Sequence, residues 1–208
     1  AFGIGTSNTA VGAYSLEQNT LGGYNVAIGT YAMYSNITGH TNNAVGSAAL
    51  YANTIGTFNN AFGANALLFN TEGDRNSAFG TSSLSRNISG DNNNAFGHED
   101  LYSNTTGSLN AAFGSYALYS NTTGYQNTAV GISSLNSNTT GANNIAIGYN
   151  PLSGNTTGNN NVAIGYTALG SNTTGSDNVA IGYQAGFSSD SSNKLYIANG
   201  DGADYQLL

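Results

Sequence analysis

The residues able to do acid–base or metal chemistry are few and do not converge. His40 and His98 are the only histidines. They sit in different repeats of the chain and at different positions of the repeat, where an active site needs an acid, a base or a nucleophile brought together. His98-Glu99-Asp100 sets an imidazole beside two carboxylates, a donor set suited to weak metal binding; an exposed polar variant of the repeat is the better reading. Asp201 and Asp204, near Gly200 and Gly202, offer oxygen donors for calcium, but the Gly-Gly-x-Gly-x-Asp calcium repeat is absent. Cysteine is absent too, which removes disulfides and thiolate metal sites. The glycines lack Gly-Lys-Ser/Thr or dinucleotide-fold spacing, so they do not cradle phosphate. The expectation is a protein that is not an enzyme, with no catalytic, cofactor-binding or metal residues.

Three recurring groups could act at a surface. Asn-x-Ser/Thr sequons recur at Asn36, Asn87, Asn104, Asn121, Asn138, Asn155 and Asn172 and could carry glycans in a eukaryotic secretory setting. Asn53 and Asn70 keep the same spacing without the sequon, so a structural corner explains these asparagines better. Threonine pairs recur at Thr105-Thr106, Thr122-Thr123, Thr139-Thr140, Thr156-Thr157 and Thr173-Thr174. A flat array of that kind is what an ice-binding solenoid presents, although Ile37, Ile55, Glu72 and Ile88 interrupt it. Tyrosine is abundant, at 14. Tyr31, Tyr34, Tyr51, Tyr102, Tyr116, Tyr119, Tyr149, Tyr166 and Tyr183 suit glycan stacking or protein contact, or a groove between subunits.

What must position these residues is a 17-residue repeat. Asn-x-Ala-x-Gly begins at Asn8, Ala10, Gly12 and recurs eleven times without insertion to Asn178, Ala180, Gly182. A second asparagine column runs from Asn19 to Asn172, with Leu or Met three residues before each member and glycine three after. Such a fixed period means stacked coils. Helix is unlikely, because two glycines per repeat each cost about 1 kcal/mol inside one. We expect an all-β parallel β-roll or β-solenoid of about eleven coils. Each coil would have two short strands, one like Asn25–Ile28 and one like Tyr31–Tyr34, with Asn36–Gly39 forming a corner. Asparagine and glycine tolerate left-handed angles at such corners, and stacked asparagines would form amide ladders. At roughly 4.8 Å per coil the rod is about 50 Å long.

The apolar supply is thin. Ala27 and Ile28 represent two columns that a strand points to opposite faces. One lines the coil interior, and the other is covered elsewhere or left in water as an apolar stripe. A lone stack looks under-buried, so association about a shared axis is expected, threefold by preference.

Only 6% of residues are charged, and the net charge is -7. Arg75, Arg86 and Lys194 are the only basic side chains and they are scattered, which argues against nucleic acid. No apolar run approaches the roughly 18 residues of a membrane span. There is no initiator Met or signal peptide, and Gly5 already sits in the phase of Gly22. A piece of something longer on the N-terminal side is expected, or else a native end trimmed by processing. Past residue 185 the pattern fails: Gly186 stands where Leu is due and Ser189 where Asn is due. Residues 1–185 read as the repeat domain and 186–208 as a C-terminal cap, with Lys194–Gly200 a strand and turn.

The Asn-Val-Ala-Ile-Gly-Tyr-x-Ala segments at 161–168 and 178–185 resemble head repeats of trimeric autotransporter adhesins, although the usual head period is shorter. Asn-Thr-Thr-Gly-x-x-Asn-x-Ala-Ile-Gly is similar to repeats of phage and bacterial fibre proteins. The resemblance covers about residues 5–185. It implies a trimeric parallel β-roll that binds host matrix or surfaces. In fibre proteins it would also imply a self-cleaving chaperone domain following an end like Leu207-Leu208, against which stands an ordinary cap or boundary. The sequence therefore leads to a structural or adhesive segment, shaft or head, of a viral tail fibre or bacterial surface adhesin. Its partners would be two further copies and a cell-surface glycan or matrix protein. Its place would be extracellular, at a cell surface or on a virion. Two rival readings are a monomeric ice-binding solenoid and a self-polymerising filament subunit.

Overall fold

The computed structural model describes residues 5–198 and the backbone of 205–206. Asp201, Asp204, Gly200, Gly202, Leu207 and Leu208 lie outside them. The described residues form a β-solenoid of about eleven 17-residue turns, with no helix. Each turn contributes one short strand, from β1 (Thr9–Val11) and β2 (Val26–Ile28) to β11 (Val179–Ile181) and β12 (Leu195–Ile197). Neighbouring strands pair in parallel and in register, so Ala10 faces Ala27, Ala27 faces Ala44, and so on along the rod. The sheet ends on β13 (Tyr205–Gln206), antiparallel to β12.

The strand alternates as its side chains require. In β2, Ala27 is fully buried and Ile28 is 40% exposed. The interior is narrow enough that every coil from β2 to β11 presents alanine there, and the larger Val, Ile and Phe face outward.

The Leu column is not a second strand. Ala32 and Met33 are consecutive and both fully buried, which a pleated strand cannot arrange. The backbone turns there instead. The Leu/Met column holds φ between 48° and 53°, and the column two residues earlier, from Tyr14 to Gln184, is left-handed as well. A left-handed non-glycine residue costs roughly 1–2 kcal/mol. Burying the leucine returns about 1.5–3 kcal/mol, and its N–H still bonds the next coil, as Met33 does to the Ala49 carbonyl at 2.9 Å. A third left-handed column runs from Ser7 to Asn193. The left-handed positions are thus occupied by Leu, Tyr, Thr, Asn and others, not by the corner Asn-x-x-Gly.

Two asparagine ladders fill the rest of the interior. Asn36 Nδ2 donates to Asn19 Oδ1 at 2.7 Å and to the Gly39 carbonyl at 2.9 Å. Asn25 Nδ2 donates to that same carbonyl at 2.9 Å, while Asn25 Oδ1 accepts the Asn42 N–H at 2.9 Å. Before the ladder ends at Asn172, these amides are satisfied by their own corner and by the neighbouring coils, which lets a polar side chain occupy a dry core. The corner glycine is required by contact and not by angle. A Cβ at Gly107 would overlap the Gly124 carbonyl oxygen and the Asn104 amide, and Gly107 shows no left-handed φ.

At the corner, three backbone N–H groups converge on one carbonyl. Thr105, Thr106 and Gly107 donate to Thr122 O at 2.9, 3.2 and 3.3 Å. Asp190 closes this series. Its Oδ1 takes the N–H groups of Thr173, Thr174 and Gly175 at 2.7, 2.7 and 3.0 Å, and Thr173 Oγ1 donates to its Oδ2. Those donors, the Thr173 hydroxyl foremost, hold its carboxyl well below the usual carboxylate range. Three substitutions past residue 185 compensate one another. Tyr196 takes the register position of alanine beside Ala180. Its ring lies where a side chain on Gly186 would go, and its hydroxyl pairs with Ser189 Oγ at 2.6 Å. Where Ser189 replaces asparagine the amide ladder stops, and Asn172 Oδ1 is buried without a hydrogen-bond partner.

Candidate functional site

The sequon asparagines belong to the interior. Asn36, Asn87, Asn104, Asn121, Asn138, Asn155 and Asn172 are fully buried, and their amides are committed to the ladder. A glycan on any of them would require that coil to open.

His98, Glu99 and Asp100 are adjacent in sequence but do not face one site. His98 and Glu99 lie at the surface, 4.0 Å apart. Asp100 points inward and is fully buried, in a column otherwise held by Ala, Ser and Pro. Its carboxylate accepts the Ala117 N–H at 2.8 Å and the Gly114 N–H at 2.9 Å. In ordinary coils the N–H equivalent to that of Ala117 closes a local turn, as Ala49 does onto Gly46 O at 3.3 Å. Asp100 captures it, and Gly114 alone in its column gives up a positive φ. The strands on either side, β6 (Asn94–His98) and β7 (Ala111–Ser115), lengthen to five residues. Burial pushes the Asp100 carboxyl up to about 6, with the Ala117 and Gly114 N–H groups and then His98 pulling the other way. Among the described residues no group of three or more His, Cys, Asp or Glu is placed to hold a metal.

The threonine columns differ from one another. Thr105, Thr122, Thr139 and Thr156 each donate their hydroxyl to the carbonyl of the next coil at 3.0 Å. The adjacent Thr106, Thr123, Thr140, Thr157 and Thr174 face solvent. The inner hydroxyls are therefore spent within the fold.

Aromatic residues stack along the rod. Phe62, Phe79, Phe96 and Phe113 form one column with ring centroids 4.7 to 5.1 Å apart. Tyr149, Tyr166 and Tyr183 form another at 5.3 and 5.1 Å, with planes within 8°. Tyr34 stacks on Tyr51, and Tyr102 on Tyr119. Rings stacked this way cover much of each other's faces and turn edges and hydroxyls outward, which weakens the case for sugars lying flat on them. Arg86 sits over the Tyr102 ring at 5.0 Å and borders a shallow groove with Ala52, Phe69, Thr71, Ile88 and Thr105.

The largest continuous feature is the outer face of the sheet. Its central column reads Val11, Ile28, Val45, Phe62, Phe79, Phe96, Phe113, Val130, Ile147, Ile164, Ile181 and Ile197, half-exposed throughout. The repeat period revealed this column, and which of its two apolar columns would face out was settled only by the narrowness of the interior. What sequence reasoning missed was the inward turn of Asp100 and the capping carboxylate of Asp190. Both were legible as departures from a column's usual residue, acidic where Ala or Thr is the rule. Neither a family model, a characterised protein nor a solved structure matches the chain.

Proposed function

We propose that this chain is a structural, non-enzymatic segment of a surface fibre, the shaft or head of a viral tail fibre or a bacterial adhesin. In this reading it works as a homotrimer outside the cell, at a cell surface or on a virion, and displays a repeating surface for attachment to a glycan or matrix protein. The observation that supports it is the uninterrupted ladder. Each coil is tied to the next by strand pairing, by two side-chain amide ladders and by triple N–H corners, so bending the rod strains many hydrogen bonds together. Titratable side chains are dispersed along that rod, and its longest organised feature is a surface. The ice-binding alternative draws on the outer threonine column, but the inner hydroxyls are already bonded to carbonyls. The test is attachment. Beads carrying the purified chain are presented to arrays of cell-surface glycans and matrix proteins, and thermal hysteresis is measured on the same preparation. Saturable binding without hysteresis is expected; hysteresis without binding would overturn the reading.

A further inference from the structure

The outer face of the sheet is not uniform. In the middle of the rod the apolar column is flanked on one side by Asn43, Asn60, Ser77 and Asn94, and on the other by small or polar residues. From β9 (Ile145–Ile147) through β10 (Val162–Ile164) to β11 both flanks turn apolar, while β8 (Thr128–Val130) keeps Thr128 on one side and has Ile132 on the other. Ile147, Ile164 and Ile181 gain Tyr149, Tyr166 and Tyr183 two residues on and Ile145, Val162 and Val179 two residues before, and Leu195 stands two before Ile197. Ten large apolar side chains here are each 37 to 51% exposed. Taking about 200 Å² for a whole tyrosine side chain and about two-thirds of that for Val or Ile, they present on the order of 650 Å² of apolar surface. That lies at the upper end of the roughly 300–600 Å² patch of an ordinary monomer and approaches what one partner contributes to a stable interface, about 800 Å².

We infer that this widened face, residues 128–197, is where a second copy of the chain docks. The inference rests on the fibre reading and adds to it the place of contact. Charge points to a copy. The chain carries a net charge of -7, yet no Asp, Glu, Lys or Arg falls in the three outward columns over their whole length. Two such faces meet without like-charge repulsion, whereas the surface acids among the described residues, such as Glu72, Asp74, Asp91 and Asp177, all lie on other columns. Period points the same way. The exposed rings repeat every 4.7 to 5.3 Å, and rows so closely spaced interdigitate with a surface of the same repeat, which another copy supplies.

The test compares native mass by light scattering for the wild-type chain, Ile164→Lys, Phe79→Lys and Thr123→Lys. Circular dichroism and thermal melting report that each variant is folded. Ile164→Lys is expected to need roughly thirtyfold or more protein to associate, as burying an unpaired charge at an interface centre implies; Thr123→Lys is expected to match wild type. If Phe79→Lys dissociates the assembly and Ile164→Lys does not, the contact lies elsewhere on the rod and this inference fails while the fibre reading stands. If the wild-type chain is monomeric at every concentration, association itself falls. If Ile164→Lys removes glycan binding or thermal hysteresis and leaves the mass unchanged, the face has another occupant and the inference is wrong.

Discussion

Asp100 gives the sharpest quantitative prediction. Its carboxyl is buried in a column of Ala and Ser, with a pKa raised from 3.8 to about 6 chiefly by desolvation. An acid with a raised folded-state pKa binds its proton more tightly folded than unfolded. Its contribution is fully present below about pH 4 and is lost as pH rises through about 6. A shift of about two units corresponds to about 3 kcal/mol as an upper bound, which solvent screening reduces, so about 2 kcal/mol is the expected change. The perturbation is Asp100→Ala, which restores the column's usual residue and returns the Ala117 N–H to its local turn. Between pH 4 and pH 7 the variant should gain about 2 kcal/mol of stability relative to wild type. Urea unfolding at half-unit pH steps measures it, with hydrogen exchange at Gly114 and Ala117 reporting the same junction locally. Equal pH profiles for the two proteins, or a difference that changes in the opposite direction, would refute the reasoning.

Other perturbations follow from the same interior. Asn104→Ala strands the buried Asn87 Oδ1 and removes three ladder bonds, which should cost about 3–5 kcal/mol in urea unfolding. Ala48→Gly, at a half-buried position with φ of 54°, should raise stability by about 0.5–1 kcal/mol, because glycine holds the left-handed angle without strain. Tyr196→Ala empties the space beside Gly186 and should lower stability by about 3–5 kcal/mol, detected as earlier melting of residues near the C-terminal end. Asp190 has the opposite sign to Asp100: its depressed carboxyl stabilises above the ordinary carboxylate range and loses that contribution in strong acid. Asp190→Ala should therefore flatten the acid limb of the stability profile.

The period made the stack, its in-register alanines and its amide ladders legible, because one chemical solution is repeated in every coil. The backbone path around Tyr31–Tyr34 was not legible. Apolar residues at that spacing suit a strand or a left-handed turn equally, and the choice turned on fitting Ala32 and Met33 side by side into a narrow core. The Asn-x-x-Gly corner was misread in mechanism, since Gly39 and Gly107 avoid collision with the neighbouring coil, while positive φ falls on the strand-closing glycines such as Gly29 and on Leu and Tyr. The surface columns could be listed from the sequence, but their orientation could not. The phase of Asn53 and Asn70 already favoured a structural asparagine over a glycan acceptor, and burial of Asn104 and its counterparts bears that out; the stacking of Tyr149, Tyr166 and Tyr183, which turns their edges outward, was not legible.

Small-angle X-ray scattering over a range of protein concentrations tests the central claim most directly, since one curve yields mass, length and cross-section. A straight rod roughly 50 Å long, with a mass near three times 21.2 kDa and a cross-section several times that of one solenoid, is predicted. A rod of the same length with a mass of 21.2 kDa at every concentration would contradict the account.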